Sequence, residues 1–245
     1  MRLTRCYVPA PLAVGESRQL PPEAATHVAR VLRARAGQLL TLFDGRGGEY
    51  DATIEQIDRR GVRVHIELHR ATEREAPLPV ILLQALARGE RMDFIVQKAT
   101  ELGVAAIIAM GGDRSVVRLE AEGLARRCEH WRAVAISACE QCGRNRVPTI
   151  SVVADLASAC AQVDATSLRL LLAPDADQTL IAVARQAVRI ALAVGPEGGF
   201  SEEERSLAQQ QGFQSCRLGP RVLRAETAPL AALATMQAVA GDFAS

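Results

Sequence analysis

Beyond residue 79 the chain alternates between short apolar runs and segments with helical periodicity, and this alternation limits the fold more than any other feature. The runs are mostly apolar, as in strands buried on both faces; they lie at Val80–Ala87, Val104–Met110, Leu168–Ala173 and Ile190–Val194. The helical patterns are at Met92–Leu102, Leu119–Ala138, Leu180–Ala187, Ser201–Gln211 and Leu230–Ala240. Strands that alternate with helices form parallel sheets covered on both faces. The sequence therefore predicts an α/β domain.

The first 70 residues follow a different pattern, with period-two alternation and only one helical piece, His27–Arg33. Predicted strands are at Leu39–Phe43, Glu49–Ile57 and Val62–Leu68, and a glycine-rich turn separates the first two. This part carries 11 arginines against 8 acidic residues, a net charge of +3. We expect a small β-barrel over residues 1–72, then a polar linker around Arg70–Pro79, with the α/β domain over 73–245.

The composition argues against several other classes of protein. No apolar run reaches the ~20 residues that a membrane span requires, and the N-terminal segment lacks the apolar core of a signal peptide. Of the six cysteines, only Cys139 and Cys142 form a CxxC pair, which is half of a zinc site. We therefore expect a cytoplasmic protein with reduced thiols and no metal.

A glycine-rich turn after the last apolar run is the sharpest local motif. The run ends at Gly195, and the turn through Gly199 leads to a helix with Ser201 and Glu204 in capping-box spacing. Glycines let backbone groups approach a ligand closely, and ligands of α/β sheets bind at the carboxyl ends of strands. A P-loop lysine is missing and Glu197 would repel a phosphate. The turn favours a cationic or zwitterionic adenosine ligand.

A second strand-end turn spans Leu218–Ala228 and leads to the last helical pattern. Thr227 is the expected N-cap, with Pro229 in the first turn. The helix that follows, Leu230–Ala240, is apolar nearly all round. Such a helix must be buried, either in the core or in a subunit interface.

These two motifs, GPEGG at 195–199 followed by LGPRVLRAETA at 218–228, resemble the RsmE family of 16S ribosomal RNA uracil-N3 methyltransferases, within the SPOUT superfamily. Segments 27–33, 88–103 and 138–148 also resemble that family. The resemblance implies a PUA-like β-barrel followed by a SPOUT-type knotted parallel sheet with helices on both faces. It further implies a homodimer that uses S-adenosyl-L-methionine and acts on 16S ribosomal RNA within the small ribosomal subunit.

The resemblance also assigns roles to particular residues. The expected cofactor-binding residues are Leu172, Ala173, Gly195, Pro196, Glu197, Gly198, Gly199, Leu218, Gly219, Leu223, Thr227 and Ala228. Uracil N3 must lose a proton before it attacks, so a general base is expected; Glu226 and Glu197 are the candidates, and Arg224 is the candidate cation for the charge on the uracil oxygens. The expected RNA-binding residues are Arg5, His27, Arg30, Arg33, Arg91, Arg144 and Arg146.

Two other functions fit parts of the same pattern. A SPOUT enzyme that methylates a ribose hydroxyl of transfer RNA would share the two late turns but not segment 27–33. A non-catalytic RNA-binding assembly factor would share the barrel but would have no reason to bind S-adenosylmethionine. The sequence leaves open the exact target nucleotide and which carboxylate is the base.

Overall fold

The structure, a computed structural model, describes residues 4–114 and 121–244. By their internal contacts the residues form two units, one of residues up to 75 together with 139–147, the other of residues 76–138 and 148 onward. The sequence placed the boundary at 72/73 and included 139–147 in the second domain. The grouping of that segment with the first unit is a tertiary feature that no local pattern indicates.

The first unit is built on a five-stranded sheet with the order β1-β3-β4-β5-β2. β1 and β3 are parallel and the other pairs are antiparallel. Its elements are β1 (Arg5–Tyr7), β2 (Ser17–Gln19), α1 (Pro22–Thr26), a π-helical turn (His27–Val31), β3 (Leu39–Phe43), β4 (Glu49–Asp58) and β5 (Gly61–Arg70). The three predicted strands are confirmed. β1 and β2 have three residues each, which is too short for a period to be visible, and they are the first and last strands in the sheet order.

Alternating residues of β5 supply the core of this unit. Val62, Val64 and Ile66 are fully buried, as their spacing predicts, and the core also takes in Val28 from the π-helical turn. The alternation was expected to continue through Leu68, but that side chain is 54% exposed. The pairing with β4 skips one residue of β5 at this point. Such a bulge changes which face the following residues occupy.

The second unit contains a six-stranded sheet in the order β11-β9-β10-β6-β7-β8, and every pair in it is parallel. Its strands are β6 (Val80–Ala85), β7 (Ala106–Met110), β8 (Thr149–Val153), β9 (Leu168–Leu172), β10 (Ile190–Val194) and β11 (Gln214–Cys216). Its helices are α2 (Arg91–Glu101), α3 (Ala121–Cys142), α4 (Leu156–Cys160), α5 (Leu180–Ala184), α6 (Glu202–Gln210) and α7 (Thr227–Ala240), followed by a 3-10 turn (Asp242–Ala244). The predicted α/β architecture is confirmed. The sequence missed β8, β11 and α4, all of five residues or fewer. Positions 119–120 of the helix predicted at Leu119–Ala138 lie outside the described residues.

Helices cover both faces of this sheet. On one face, Leu83 and Ala193 pack in a cluster with Leu156 of α4 and Ala208 of α6. The alternate residue Leu82 is also fully buried, on the face where α7 packs against β6. Burial on both faces explains why these strands are continuously apolar.

The two helices after the glycine-rich turns begin in different ways. At α6 the capping box is confirmed: Ser201 Oγ accepts from the Glu204 amide at 3.1 Å, and the Ser201 amide donates to Glu204 Oε2 at 2.8 Å. At α7 the prediction that Thr227 is the N-cap is wrong. Thr227 is the first helical residue, and its amide donates to the Arg224 carbonyl at 2.9 Å. The Ala228 amide donates to the same carbonyl and Pro229 has no amide hydrogen, so these first-turn positions need no side-chain cap.

Candidate functional site

The two glycine-rich turns meet at one edge of the parallel sheet. β9 lies between β10 and β11, so the carboxyl ends of all three strands point to the same edge. The turns enclose a pocket of about 290 Å³ there. Its walls come from the ends of β9, β10 and β11 and the start of α7.

All of the predicted cofactor-binding residues except Thr227 line this pocket. Thr227 is exposed on the first turn of α7 instead. Sequence reasoning missed further lining residues, namely Pro174, Val194, Arg205, Cys216, Arg217 and Ala225, whereas Arg221 and Val222 lie within the backbone stretch 218–223 that was expected to surround the cofactor. Most of them directly flank predicted residues, so a longer window around each strand end would have included them. Arg205 comes from the middle of α6 and had no such signal.

Four of the lining residues are glycines, which present only backbone atoms to the pocket, and three of them lie in the tightly wound turn after β10. The Gly199 amide donates to the Pro196 carbonyl at 2.9 Å, and Gly199 has φ +69°, in the left-handed region. A Cβ on Gly195 would lie 3.1 Å from the amide nitrogen of Phe200, whose ring is buried. Neither position accepts a side chain without a change in the turn. The glycines therefore set the shape of the pocket.

Three charged side chains meet beside this pocket. Arg91 Nη1 is 2.8 Å from Glu197 Oε1, and Arg91 Nε is 3.9 Å from Glu226 Oε2. Glu226 Oε2 is buried and has no hydrogen-bond partner among the described residues. Glu197 lines the pocket. Glu226 does not, but it lies between two residues that do, Ala225 and Ala228. The structure thus brings both candidate bases to one arginine.

The predicted catalytic cation has a different setting. Arg224 is exposed and does not line the pocket; its carbonyl accepts from the first amides of α7. Of the arginines that do line it, Arg205 pairs with Asp175 at 2.8 Å and Arg217 donates to the Ala176 carbonyl at 2.9 Å. Arg221 is exposed and has no ion pair with a described residue. Arg221 is therefore the lining arginine best able to turn toward a ligand.

Three of the predicted RNA-binding residues share one surface of the first unit. His27, Arg30 and Arg33 are all exposed, on or just after the π-helical turn. Val31 and Leu32, between them, are 66% and 42% exposed. Guanidinium groups bind phosphates, and apolar side chains beside them suit an unpaired base. The structure makes this surface a candidate for RNA contact.

Two other predicted RNA-binding residues are buried, which corrects that expectation. Arg5 is hydrogen-bonded to Glu49 and, at 2.6 Å, to Asn145 Oδ1. Arg144 is 5% exposed and pairs with Glu75 at 2.6 Å. Burying a guanidinium requires such partners, and these arginines bind segment 139–147 to the rest of the first unit. Their charges are used within the fold and are not presented to a phosphate.

The last candidate of that unit, Arg146, is exposed and lies 3.8 Å from Glu73. In the neighbouring CxxC pair, Cys139 is buried and Cys142 is partly buried. Cys139 donates to the Arg146 carbonyl at 3.5 Å, and burial raises the pKa of its thiol to about 12. In residues 4–114 and 121–244 no group of three or more His, Cys, Asp and Glu side chains is placed to hold a metal ion. Among the same residues, every helix is too short or too polar to cross a membrane.

Two family models match the chain. A model described as an RNA methyltransferase domain matches residues 74–237, and one described as an RNA methyltransferase PUA domain matches residues 20–67. The ribosomal RNA small subunit methyltransferase E of Mycobacterium bovis is 34% identical over 84% of this chain and 80% of its own length. The protein of the same name from Buchnera aphidicola is 28% identical over 99% of this chain and 96% of its own length.

The chain also resembles solved structures of methyltransferases over almost its whole length. A methyltransferase from Legionella pneumophila, solved with bound SAM, has a TM-score of 0.94 and 40% identity over 99% of this chain and 100% of its own. The ribosomal RNA small subunit methyltransferase E of Neisseria gonorrhoeae, bound to S-adenosyl methionine, has a TM-score of 0.91 and 37% identity, again over 99% of this chain and 100% of its own.

Proposed function

The chain belongs to the RsmE family of ribosomal RNA methyltransferases, and we propose that it transfers the methyl group of S-adenosylmethionine to N3 of a uridine in 16S ribosomal RNA. The observation that carries the proposal is the pocket formed jointly by the turns after β10 and β11. Relatives with the same fold hold S-adenosylmethionine. The target atom and the choice of 16S ribosomal RNA as substrate rest on the family resemblance.

The pocket suits an adenosine-containing zwitterion. Leu172, Leu218, Leu223 and Ala228 offer apolar contacts for an adenine ring, and the glycine turn offers backbone groups for polar atoms. The Glu197 carboxylate is available to a cationic group of the ligand, and the Arg221 guanidinium is available to a carboxylate of the ligand. When bound, the cofactor supplies an electrophilic methyl group on a sulfonium. The residues around it have to orient the two reactants and exclude water.

The protein must also remove the N3 proton of the uracil. Glu197 is already paired with Arg91 at 2.8 Å, whereas Glu226 Oε2 has an unused acceptor position. We assign the role of proton acceptor to Glu226 for that reason. Arg221, and Arg224 if its exposed side chain turns inward, would stabilise the negative charge that develops on the uracil oxygens.

RNA recognition is assigned to His27, Arg30 and Arg33, with Arg146 as a further phosphate contact. N3 lies on the pairing edge of the base, so the target uridine must be unpaired while it reacts. This requirement fits a substrate within the small ribosomal subunit, and a cytoplasmic location follows from that substrate.

We also propose that the enzyme is a homodimer. Leu233 and Met236 of α7 are fully buried within the chain itself, so part of the apolar helix is covered without a partner. Leu230, Ala234 and Ala238, at i, i+4 and i+8, share another face and are partly or fully exposed. We expect Ala234→Arg to give monomers in sedimentation experiments. A monomeric wild type at micromolar concentration would contradict the dimer.

Nucleoside mass spectrometry tests the reaction. Small subunits from a strain that lacks the gene should gain 3-methyluridine in their 16S RNA when incubated with the purified protein and S-adenosylmethionine. Methylation of a ribose in transfer RNA instead would identify the alternative SPOUT activity. Tight RNA binding without affinity for S-adenosylmethionine would identify a non-catalytic assembly factor.

A further inference from the structure

Arg91 connects three elements around the pocket, although its own helix contributes no lining residue. It is the first residue of α2. Its side chain reaches Glu197 in the turn after β10 and Glu226 before α7, at 2.8 and 3.9 Å. The side chains of Arg91, Glu197 and Glu226 are 40%, 35% and 19% exposed, so the group lies at the boundary between the protein and solvent.

We propose that Arg91 is a positioning residue of the cofactor site rather than a contact for RNA phosphate. Its guanidinium holds the Glu197 carboxylate, and with it the glycine turn, in the conformation that shapes the pocket. It also supplies the positive charge next to the buried oxygen of Glu226. The proposal rests on the proposed function, because it assumes that the pocket binds S-adenosylmethionine.

The turn is held at more than one point. The buried ring of Phe200 fixes the end that enters α6, and Arg114 Nη1 donates to the Gly198 carbonyl at 3.1 Å. Among the ion pairs of the described residues, the one that links a side chain of this turn to another element is made by Glu197. A glycine-rich segment without this contact would sample more backbone conformations, and cofactor binding would then have to order it.

The charges around Arg91 argue against phosphate binding. One guanidinium faces two carboxylates, so the local net charge is −1 if all three groups are ionised. A phosphate that approached this group would meet repulsion and would compete with Glu197 for the same donors. Arg30 and Arg33 of the first unit are exposed and have no ion pair with a described residue, and they remain the RNA candidates.

A double-mutant cycle on S-adenosylmethionine affinity tests the proposal. We expect Arg91→Gln and Glu197→Gln each to raise the dissociation constant about fivefold or more, in the range of typical couplings within proteins. The double variant should be no weaker than the weaker single variant, since the pair acts as one unit. Arg91→Lys keeps the cation and should recover part of the affinity, which a variant with a damaged fold would not do.

Arg88→Gln is the matched control, because Arg88 precedes the same helix, is exposed and has no ion pair with a described residue. It should bind S-adenosylmethionine like the wild type. Additive effects of the two single changes, or unchanged affinity in Arg91→Gln, would overturn the proposal. A weaker dependence of RNA affinity on salt in Arg91→Gln, with cofactor affinity unchanged, would assign Arg91 to RNA. If the wild type fails to bind S-adenosylmethionine, the proposed function fails first.

Discussion

The replacement Gly195→Ala adds one methyl group at a tightly packed point of the glycine-rich turn after β10. The new Cβ would lie 3.1 Å from the Phe200 amide nitrogen, 3.2 Å from Phe200 Cδ2 and 3.3 Å from the Gly199 carbonyl carbon. All three distances are shorter than an ordinary van der Waals contact, and two of the atoms belong to the backbone. Phe200 is buried, so its ring cannot move freely. The turn must open by a few tenths of an ångström.

Overpacking of this kind costs about 1–3 kcal/mol. The strained segment carries the glycines that line the pocket, so we expect most of this cost to appear as lost cofactor affinity. Since about 1.4 kcal/mol corresponds to a tenfold change, the dissociation constant of S-adenosylmethionine should rise roughly 5- to 150-fold. Calorimetric titration measures this directly.

Thermal unfolding gives a second measurement if the variant is hard to purify. A ligand at a hundred times the wild-type dissociation constant stabilises the wild type by about 2.7 kcal/mol, and by only about 1.4 kcal/mol when the constant is tenfold larger. Gly112→Ala is the control, because a Cβ there would have contacts of 3.4 Å and longer. Unchanged affinity in a folded Gly195→Ala protein would refute the idea that this turn shapes the site.

Three further predictions concern the rest of the chain. Replacing both Arg30 and Arg33 with alanine should lower the slope of RNA affinity against salt by about 1.4, or 0.7 for each lost contact with single-stranded RNA, and leave S-adenosylmethionine affinity unchanged; an unaltered slope in filter-binding titrations would contradict the assignment. Burial raises the pKa of Glu140 above its usual 4.5, although the Tyr7 amide donates to its Oε1 at 2.9 Å. Because this pKa is raised, the charged form of Glu140 destabilises the fold once the pH exceeds 4.5. Glu140→Gln should therefore increase the free energy of unfolding at pH 7 and have little effect at pH 4. Equal effects of the substitution at the two pH values would be inconsistent with this account. Desolvation raises the pKa of Glu49, but hydrogen bonds from Arg74 and Arg5 outweigh it and hold the pKa below 4.5. The stability that these bonds provide is present above pH 4.5 and lost as pH falls below it, and Glu49→Gln should weaken this acid dependence of unfolding, as monitored by circular dichroism.

The sequence alone determined the class of fold and the main parts of the pocket that we propose binds the cofactor. The apolar runs at Val80–Ala87 and Ile190–Val194 predicted strands buried on both faces, because only a sheet covered by helices removes polar residues from both sides of a strand. The capping box at Ser201 and Glu204 was also predictable, since a helix N-terminus is stabilised by neighbours within four residues. The pocket could be anticipated because the carboxyl ends of parallel strands share one edge.

Tertiary structure decided what each charged residue does. Arg5, Arg30 and Arg144 look alike in sequence, yet Arg30 is exposed while the other two are buried against Glu49 and Glu75. These partners are 44 and 69 residues away. Arg91 meets Glu197 across 106 residues. The energy of an ion pair depends on the distance between the charges and on their burial. The residue pattern along the chain gives neither quantity. Only the folded structure therefore distinguishes an exposed arginine that is available to RNA from one that is paired within the protein.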